Sequence, residues 1–306
     1  MLTLAICQRN FTVGDFSGNL AQIRHCMQRA HEQAADIAVF SELALCGYYP
    51  GDLLEDAAFL SKLDASLTEL LEFSRSLPDL VSVVGTVRAN RGPGKPLHNA
   101  LLAIQNGAIV AEYYKQLLPT YGIFDERRHF EPGPEHACLL RVKQQTVGFI
   151  VCEDGWNNAG QDYHVNPFAL LQEAQPDLVI SINASPSDIG KRAQRHELFT
   201  QAARATHLPL LYVNQIGGHD QLVFDGASFA VSPSQGIAFE AERFTEDFQL
   251  LGFSEQRFVA VDGTHLPQPE AAGLAVAEFT RRQIVLGLQD YARRCGFKKV
   301  VVGCQI

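Results

Sequence analysis

The sequence contains no run of eighteen apolar residues, and no basic leader precedes its first apolar stretch, Met1-Leu2-Thr3-Leu4-Ala5-Ile6-Cys7. It predicts neither a membrane-spanning helix nor a secretory signal. Positive charge is in deficit: 25 Lys and Arg against 34 Asp and Glu leave a formal net charge of −9. That balance argues against nucleic acid or an anionic membrane as a partner. The seven cysteines, at 7, 26, 46, 138, 152, 295 and 304, are odd in number and include no C-x-x-C. A disulfide framework is not expected, and a reducing, cytoplasmic setting fits. Zinc spacing is missing as well. His196-Glu197 opens like a zinc-protease motif, but Thr200 stands where the second His is required. No metal site is expected. The loop Arg91-Gly92-Pro93-Gly94-Lys95-Pro96 is no phosphate-binding P-loop either, because Pro96 replaces the required Ser or Thr.

What is present is ordinary globular material. With 46% hydrophobic and 19% charged residues, 306 residues can bury a large core without disulfides or metals. The length favours one large domain with a small appendage. Short apolar runs alternate with amphipathic stretches. Strands are expected at 2–7, 37–40, 80–87, 147–151, 178–182 and 209–213, with helices near 19–34, 60–71, 166–174 and 192–206. Asn106-Gly107 between two apolar runs signals a hairpin, and 222–252 reads as a second hairpin section. Continuous apolar strands with intervening helices indicate covered sheets, and the hairpins make those sheets mixed. The expected class is an α/β layered sandwich.

After Asp262 the composition shifts. The stretch 263–275 is rich in Gly, Pro and Ala and reads as a linker. A helix follows, with Ile284, Leu288, Tyr291 and Cys295 at helical spacing, then an apolar strand, Val300-Val301-Val302. This end reads as the opening of a second domain. Its open strand edge predicts that 276–303 is disordered or packed on a neighbouring subunit.

Three segments put a reactive or charged group at the end of an apolar strand: Glu42 in Ser41-Glu42-Leu43-Ala44-Leu45-Cys46-Gly47-Tyr48, Lys115 in Tyr113-Tyr114-Lys115-Gln116-Leu117-Leu118-Pro119, and Cys152 in Val151-Cys152-Glu153-Asp154-Gly155-Trp156. Each has a plain alternative: a solvated strand-end carboxylate, a surface lysine, a buried inert thiol. Taken together they form a chemical set. A carboxylate can take the thiol proton, the thiolate can attack a carbonyl, and an ammonium can hold the developing oxyanion. Such a set suffices for amide hydrolysis through a thioester. A Cys–His pair stays open on spacing alone, since ten histidines are available.

Glu42, Lys115 and Cys152, in that order and in those contexts, resemble the Glu–Lys–Cys triad of the carbon–nitrogen hydrolase (nitrilase) superfamily. The stretch Leu118-Pro119-Thr120-Tyr121-Gly122-Ile123-Phe124-Asp125-Glu126-Arg127-Arg128 and the segment Asn183-Ala184-Ser185-Pro186 with Gly190-Lys191 resemble, more narrowly, the glutaminase domain of glutamine-dependent NAD synthetases. The resemblance covers about 2–262. The tail, Leu286-Gly287-Leu288-Gln289-Asp290-Tyr291 and Gly296-Phe297-Lys298-Lys299-Val300-Val301-Val302-Gly303, looks like the start of an ATP-using synthetase domain that does not continue past Ile306.

The resemblance implies a four-layer αββα sandwich of two mixed sheets over 1–262, a linker over 263–275 and a truncated synthetase opening over 276–306. It implies a glutamine amidohydrolase that supplies ammonia for NAD synthesis from deamido-NAD, with Glu42 as base, Cys152 as nucleophile and Lys115 with a backbone N–H near 153 as oxyanion holders. Glu126 would be the second carboxylate that orients Lys115 and substrate. Glu153 would pair with the substrate ammonium, Ser185 and Lys191 would approach its carboxylate, and Tyr48, Tyr121, Phe124 and Trp156 would wall the pocket. The glutaminase step would need no cofactor, since ATP and Mg²⁺ would belong to the synthetase half. A homo-oligomer and a synthetase domain in trans are the implied partners. Two alternatives stand beside this: a stand-alone amidase acting on another ω-amide or an N-carbamoyl compound, and an assembly remnant with low activity unless a synthetase partner is present.

Overall fold

The computed structural model describes residues 1–157, 162–266 and 273–303. The first half of the chain forms β1 (Leu2–Gln8), α1 (Phe16–Glu32), β2 (Ile37–Val39), α2 (Ala57–Ser74), β3 (Val81–Ala89), β4 (Leu97–Gln105), β5 (Ala108–Tyr114), β6 (Leu139–Val142) and β7 (Gln145–Val151). There follow α3 (Pro167–Ala174), β8 (Leu178–Asn183), α4 (Lys191–Thr206), β9 (Leu210–Asn214), β10 (Ile216–His219) and β11 (Leu222–Asp225). The last elements are β12 (Phe229–Ser232), β13 (Gly236–Glu240), β14 (Asp247–Ser254), β15 (Arg257–Val259) and α5 (Val276–Arg294).

Local sequence explains the helix starts. Asp15 and Asp56 accept from Gly18 N and Ala58 N at the heads of α1 and α2, and Asn166 caps α3 ahead of Pro167. Asn106 and Gly107, at φ 47° and 80°, close the β4–β5 hairpin as their side chains allow.

Two mixed sheets result. The seven-stranded sheet runs β15-β14-β1-β2-β3-β4-β5, and the six-stranded sheet runs β13-β12-β9-β8-β7-β6. Each has three parallel strands at its centre, β1-β2-β3 or β7-β8-β9, flanked by antiparallel ones. Three apolar cores separate four layers. Leu20, Ile23 and Met27 of α1 and Leu63, Leu67 and Leu70 of α2 pack on Ala5, Cys7 and Leu102 of the first sheet. Leu4, Ile6, Val39 and Val83 meet Phe149, Val151, Ile180 and Val213 between the sheets. Phe168 and Leu171 of α3 and Phe199 of α4 cover Ile150, Val179 and Tyr212 on the outer face. The order is αββα. Strands buried on both faces read as unbroken apolar runs, which is why they were visible in the sequence.

Beyond 262 the structure corrects two expectations. Helix α5 packs on β10 and β11 of its own chain, with Phe279 and Asp290 buried. Asp290 Oδ2 accepts from Asn10 Nδ2 at 2.7 Å and from Gly218 N at 2.8 Å. The helix is thus ordered and docked on its own chain. Its docked face is not the apolar one: Ile284, Leu288, Tyr291 and Cys295 face solvent. Residues 300–302 form no strand: no strand among the described residues pairs with them, and Val301 is 99% exposed. Residues 267–272 of the expected linker and 304–306 of the tail lie outside the described residues. No helix among the described residues is long and apolar enough to cross a membrane.

Candidate active site

Four strand ends converge at one edge of the sandwich. Glu42 follows β2 and Lys115 follows β5 in the first sheet; Cys152 follows β7 and Ala184 follows β8 in the second. The apolar strands stop there, so polar side chains can leave the core without interrupting a ladder.

Glu42 is fully buried, not a solvated strand end. It sits in a tight turn with Leu43 at φ 48°, laid directly on β3. A Cβ at Gly85 would collide with Leu43 N, Ser41 O and the Glu42 carbonyl carbon, so only glycine lets the turn approach this closely. The Glu42 carboxylate is held on both oxygens. Oε1 accepts from Lys115 Nζ at 2.7 Å and Asn99 Nδ2 at 2.7 Å, and Oε2 accepts from Ala184 N at 3.0 Å.

Lys115 is likewise buried, 1% exposed, and it bridges two carboxylates. Its Nζ lies 2.7 Å from Glu42 Oε1 and 2.9 Å from Glu126 Oε1. Burial alone would pull the ammonium down, but Glu126 and Glu42 outweigh it and hold Lys115 well above its ordinary value. The lysine stays charged. Glu126 also accepts from Tyr48 Oη at 2.8 Å.

Cys152 opens a 3-10 turn, Cys152–Gly155, with its own φ at 43°, a left-handed geometry that costs a non-glycine residue about 1 kcal/mol. The turn presses against α4: a Cβ on Gly155 would lie 2.6 Å from the Phe199 ring. Burial raises the thiol well above its ordinary value, Glu42 adds to the rise and Lys115 opposes it. The resting group is a protonated thiol that needs a base, and the carboxylate acting on it most strongly is Glu42.

A cavity of about 400 Å³ opens onto this set. Lys115 and Cys152 line it, together with Tyr48, Tyr121, Phe124, Glu153, Trp156, Ser185 and Lys191. Glu42 and Glu126 stand behind the lysine, off the lining. The structure therefore brings together every residue expected from sequence. Glu153 Oε2 accepts from Tyr121 Oη at 2.9 Å and Oε1 from Tyr163 Oη at 2.8 Å, and Lys191 Nζ lies over the Trp156 ring at 3.7 Å. Burial, then Arg195, lowers the Lys191 ammonium. Tyr163 also lines a larger cavity of about 640 Å³, which holds none of Cys152, Lys115 or Glu42.

Sequence reasoning missed Asn99, Tyr163, Asp154 and Arg195. Asn99 interrupts an apolar strand and could have been flagged on that ground. Tyr163 and Arg195 lie in stretches with no motif. The cluster Asp52, Glu55 and His129, within 4.8 Å of one another, was also not foreseen; its two carboxylates already pair with Arg128.

The carbon–nitrogen hydrolase family profile matches residues 3–252. This chain belongs to that family. It is an amidohydrolase by descent, with the fold expected of one. Glutamine-dependent NAD(+) synthetases match along nearly the whole chain: that of Synechocystis sp. is 36% identical over 313 residues, covering 99% of this chain and 54% of its own length. That of Xylella fastidiosa is 34% identical, covering 99% and 53%. Among solved structures, the glutamine-dependent NAD+ synthetase of Acinetobacter baumannii with ADP superposes with a TM-score of 0.84 at 27% identity, over 98% of this chain and 53% of that one. A nitrilase-superfamily amidase of Nesterenkonia AN1 superposes with a TM-score of 0.69 at 22% identity, over 81% and 89%, which speaks to fold alone. The chain spans about half the length of the curated relatives it matches.

Glu126 supports a prediction on stability. Burial pushes its carboxyl up to about 7 from an ordinary 4.5, with Lys115 opposing and Glu42 adding. The folded chain then holds a proton that the unfolded chain releases, so this contribution is complete below pH 4.5 and is lost as pH rises through about 7. Glu126→Gln keeps a neutral group at every pH. Denaturant titrations should show this variant gaining stability relative to wild type between pH 4.5 and 7, then levelling off. A variant that instead loses ground over that window would contradict the assignment.

Proposed function

We propose that this chain hydrolyses the side-chain amide of glutamine and releases ammonia, the reaction that a glutamine-dependent NAD synthetase requires of one of its halves. One observation carries the reading. The pocket that holds Cys152 and Lys115 also carries a carboxylate, Glu153, and a cation, Lys191, on its wall. A free amino acid presents the complementary pair, an ammonium and a carboxylate, whereas a simple aliphatic amide presents neither.

Glu42 takes the proton of the Cys152 thiol, and the sulfur attacks the glutamine side-chain carbonyl carbon. The carbonyl electrons move to oxygen, where Lys115 Nζ and a backbone N–H near 153 receive the charge. The intermediate collapses, the C–N bond breaks, and the nitrogen leaves as ammonia with the proton returned from Glu42. Water, deprotonated by Glu42, then cleaves the γ-glutamyl thioester, releasing glutamate and restoring the thiol. Glu126 holds Lys115 between two carboxylates. No cofactor enters these steps; ATP and Mg²⁺ belong to the synthetase reaction that would consume the ammonia.

The reading brings a partner with it, a synthetase domain in the relatives' manner. The solvent-facing Ile284, Leu288 and Tyr291 of α5 are the apolar side chains such a contact would cover. The same scheme serves an ω-amide or N-carbamoyl hydrolase, so substrate choice decides between them. Steady-state assays on glutamine, asparagine, short aliphatic amides and carbamoyl amines should give the highest kcat/KM on glutamine, rising further when a synthetase domain is supplied in trans. Faster turnover of a simple amide would overturn the glutamine assignment.

A further inference from the structure

The three reacting groups come from two different sheets. Lys115 follows β5, at the edge of the first sheet, while Cys152 follows β7 in the second. Strands of stacked sheets share no ladder, and the apolar contact between them is non-directional. Something directional has to set where the lysine segment stands relative to the thiol.

We propose that Asp154 is that positioning residue: a single buried carboxylate that ties the chain on either side of Lys115 to the chain entering Cys152. Asp154 is fully buried. Its Oδ1 accepts from Gln116 N at 3.0 Å and Leu117 N at 2.8 Å, the two amides that follow Lys115. Its Oδ2 accepts from Val151 N at 3.0 Å, the amide before Cys152, and from Tyr113 Oη at 2.8 Å, two residues before Lys115. A carboxylate has about four acceptor sites, and these four donors occupy them. Asp154 therefore has no capacity left for substrate, and it does not line the cavity. Its effect reaches the chemistry through the backbone of its neighbours.

The consequence for turnover rests on the amidohydrolase reading above. Asp154→Asn keeps the shape but turns one oxygen into a donor, so either the Gln116 and Leu117 amides or the Val151 amide and Tyr113 hydroxyl lose their acceptor. A displacement of about 1 Å at a reacting group can cost about 100-fold in rate. The test measures kcat and KM for glutamine per reactive Cys152, with reactive sites counted by covalent titration so that misfolded chains drop out. Asp154→Asn should lower kcat per titrated site about 100-fold and move KM less than about threefold. Tyr113→Phe, which removes one of the four donors, should lower kcat several-fold. A kcat per site within about twofold of wild type in Asp154→Asn, whatever its Tm, overturns the proposal. If that variant does not fold, an unchanged kcat in Tyr113→Phe overturns it instead. Should wild type not hydrolyse glutamine, the substrate reading fails separately, and the rate of iodoacetamide alkylation at Cys152 decides. Slower alkylation in the variants supports the tether, and equal rates refute it.

Discussion

Cys152→Ala is expected to lower glutamine turnover by at least about 10⁴-fold while changing stability by no more than about 1 kcal/mol. The substitution deletes one sulfur at the pocket wall and leaves the turn backbone unchanged. The loss should be large because no other thiol among the described residues lines the pocket. Cys7, Cys26 and Cys46 are buried in the core under α1 and α2, and Cys46 is pushed up to about 12 by burial. Cys138 and Cys295 do not line the pocket. Without a thioester, the remaining charges can only polarise the amide, which supplies a small part of the acceleration. Initial rates of ammonia release on matched, folded samples check this. A variant within 100-fold of wild type would mean that water is the attacking group.

Lys115→Met should be nearly as damaging to turnover, and unlike Cys152→Ala it should also weaken the fold. Removing an oxyanion donor typically costs about 10²–10³-fold in kcat. Here a second effect adds to it. Glu42 and Glu126 share the ammonium at 2.7 and 2.9 Å in a fully buried setting, and among the described residues neither pairs with another cation. Breaking a buried ion pair on one side costs about 3–5 kcal/mol, and the orphaned carboxyls respond by taking up protons. A protonated Glu42 cannot accept the thiol proton. We expect kcat to fall by more than about 10³-fold and the urea midpoint to fall with it. Retention of a tenth of the activity would show that Lys115 serves only the packing.

The fold was legible where burial dictates pattern. Strands β1, β2, β7, β8 and β9 are covered on both faces, so their apolar runs are continuous, and the polar residues at 42, 115 and 152–154 mark where apolar strands end. The Asn106-Gly107 turn announced its hairpin because few side chains tolerate two successive positive φ values. Long-range pairing was not legible. Strand β14 lies antiparallel to β1, Leu2 opposite Phe253, and nothing local to either segment encodes that register. Helix α5 was legible as a helix but its docking was not, because periodicity finds an apolar face and not a contact made by the opposite side, which a buried carboxylate, Asp290, anchors. In the site, the reacting residues stood out at strand ends, whereas Asn99, Tyr163 and Asp154 act through hydrogen bonds that leave no spacing signature.

The meeting of thiol, carboxylate and ammonium at one pocket is tested most directly by covalent labelling. The wild-type chain, incubated with a glutamine-derived electrophile and mapped by mass spectrometry, should carry one adduct, on the peptide containing Cys152. Excess glutamine should protect it, and Cys152→Ala should remain unlabelled. Adducts on Cys46, Cys138 or Cys295 with Cys152 untouched would contradict the account.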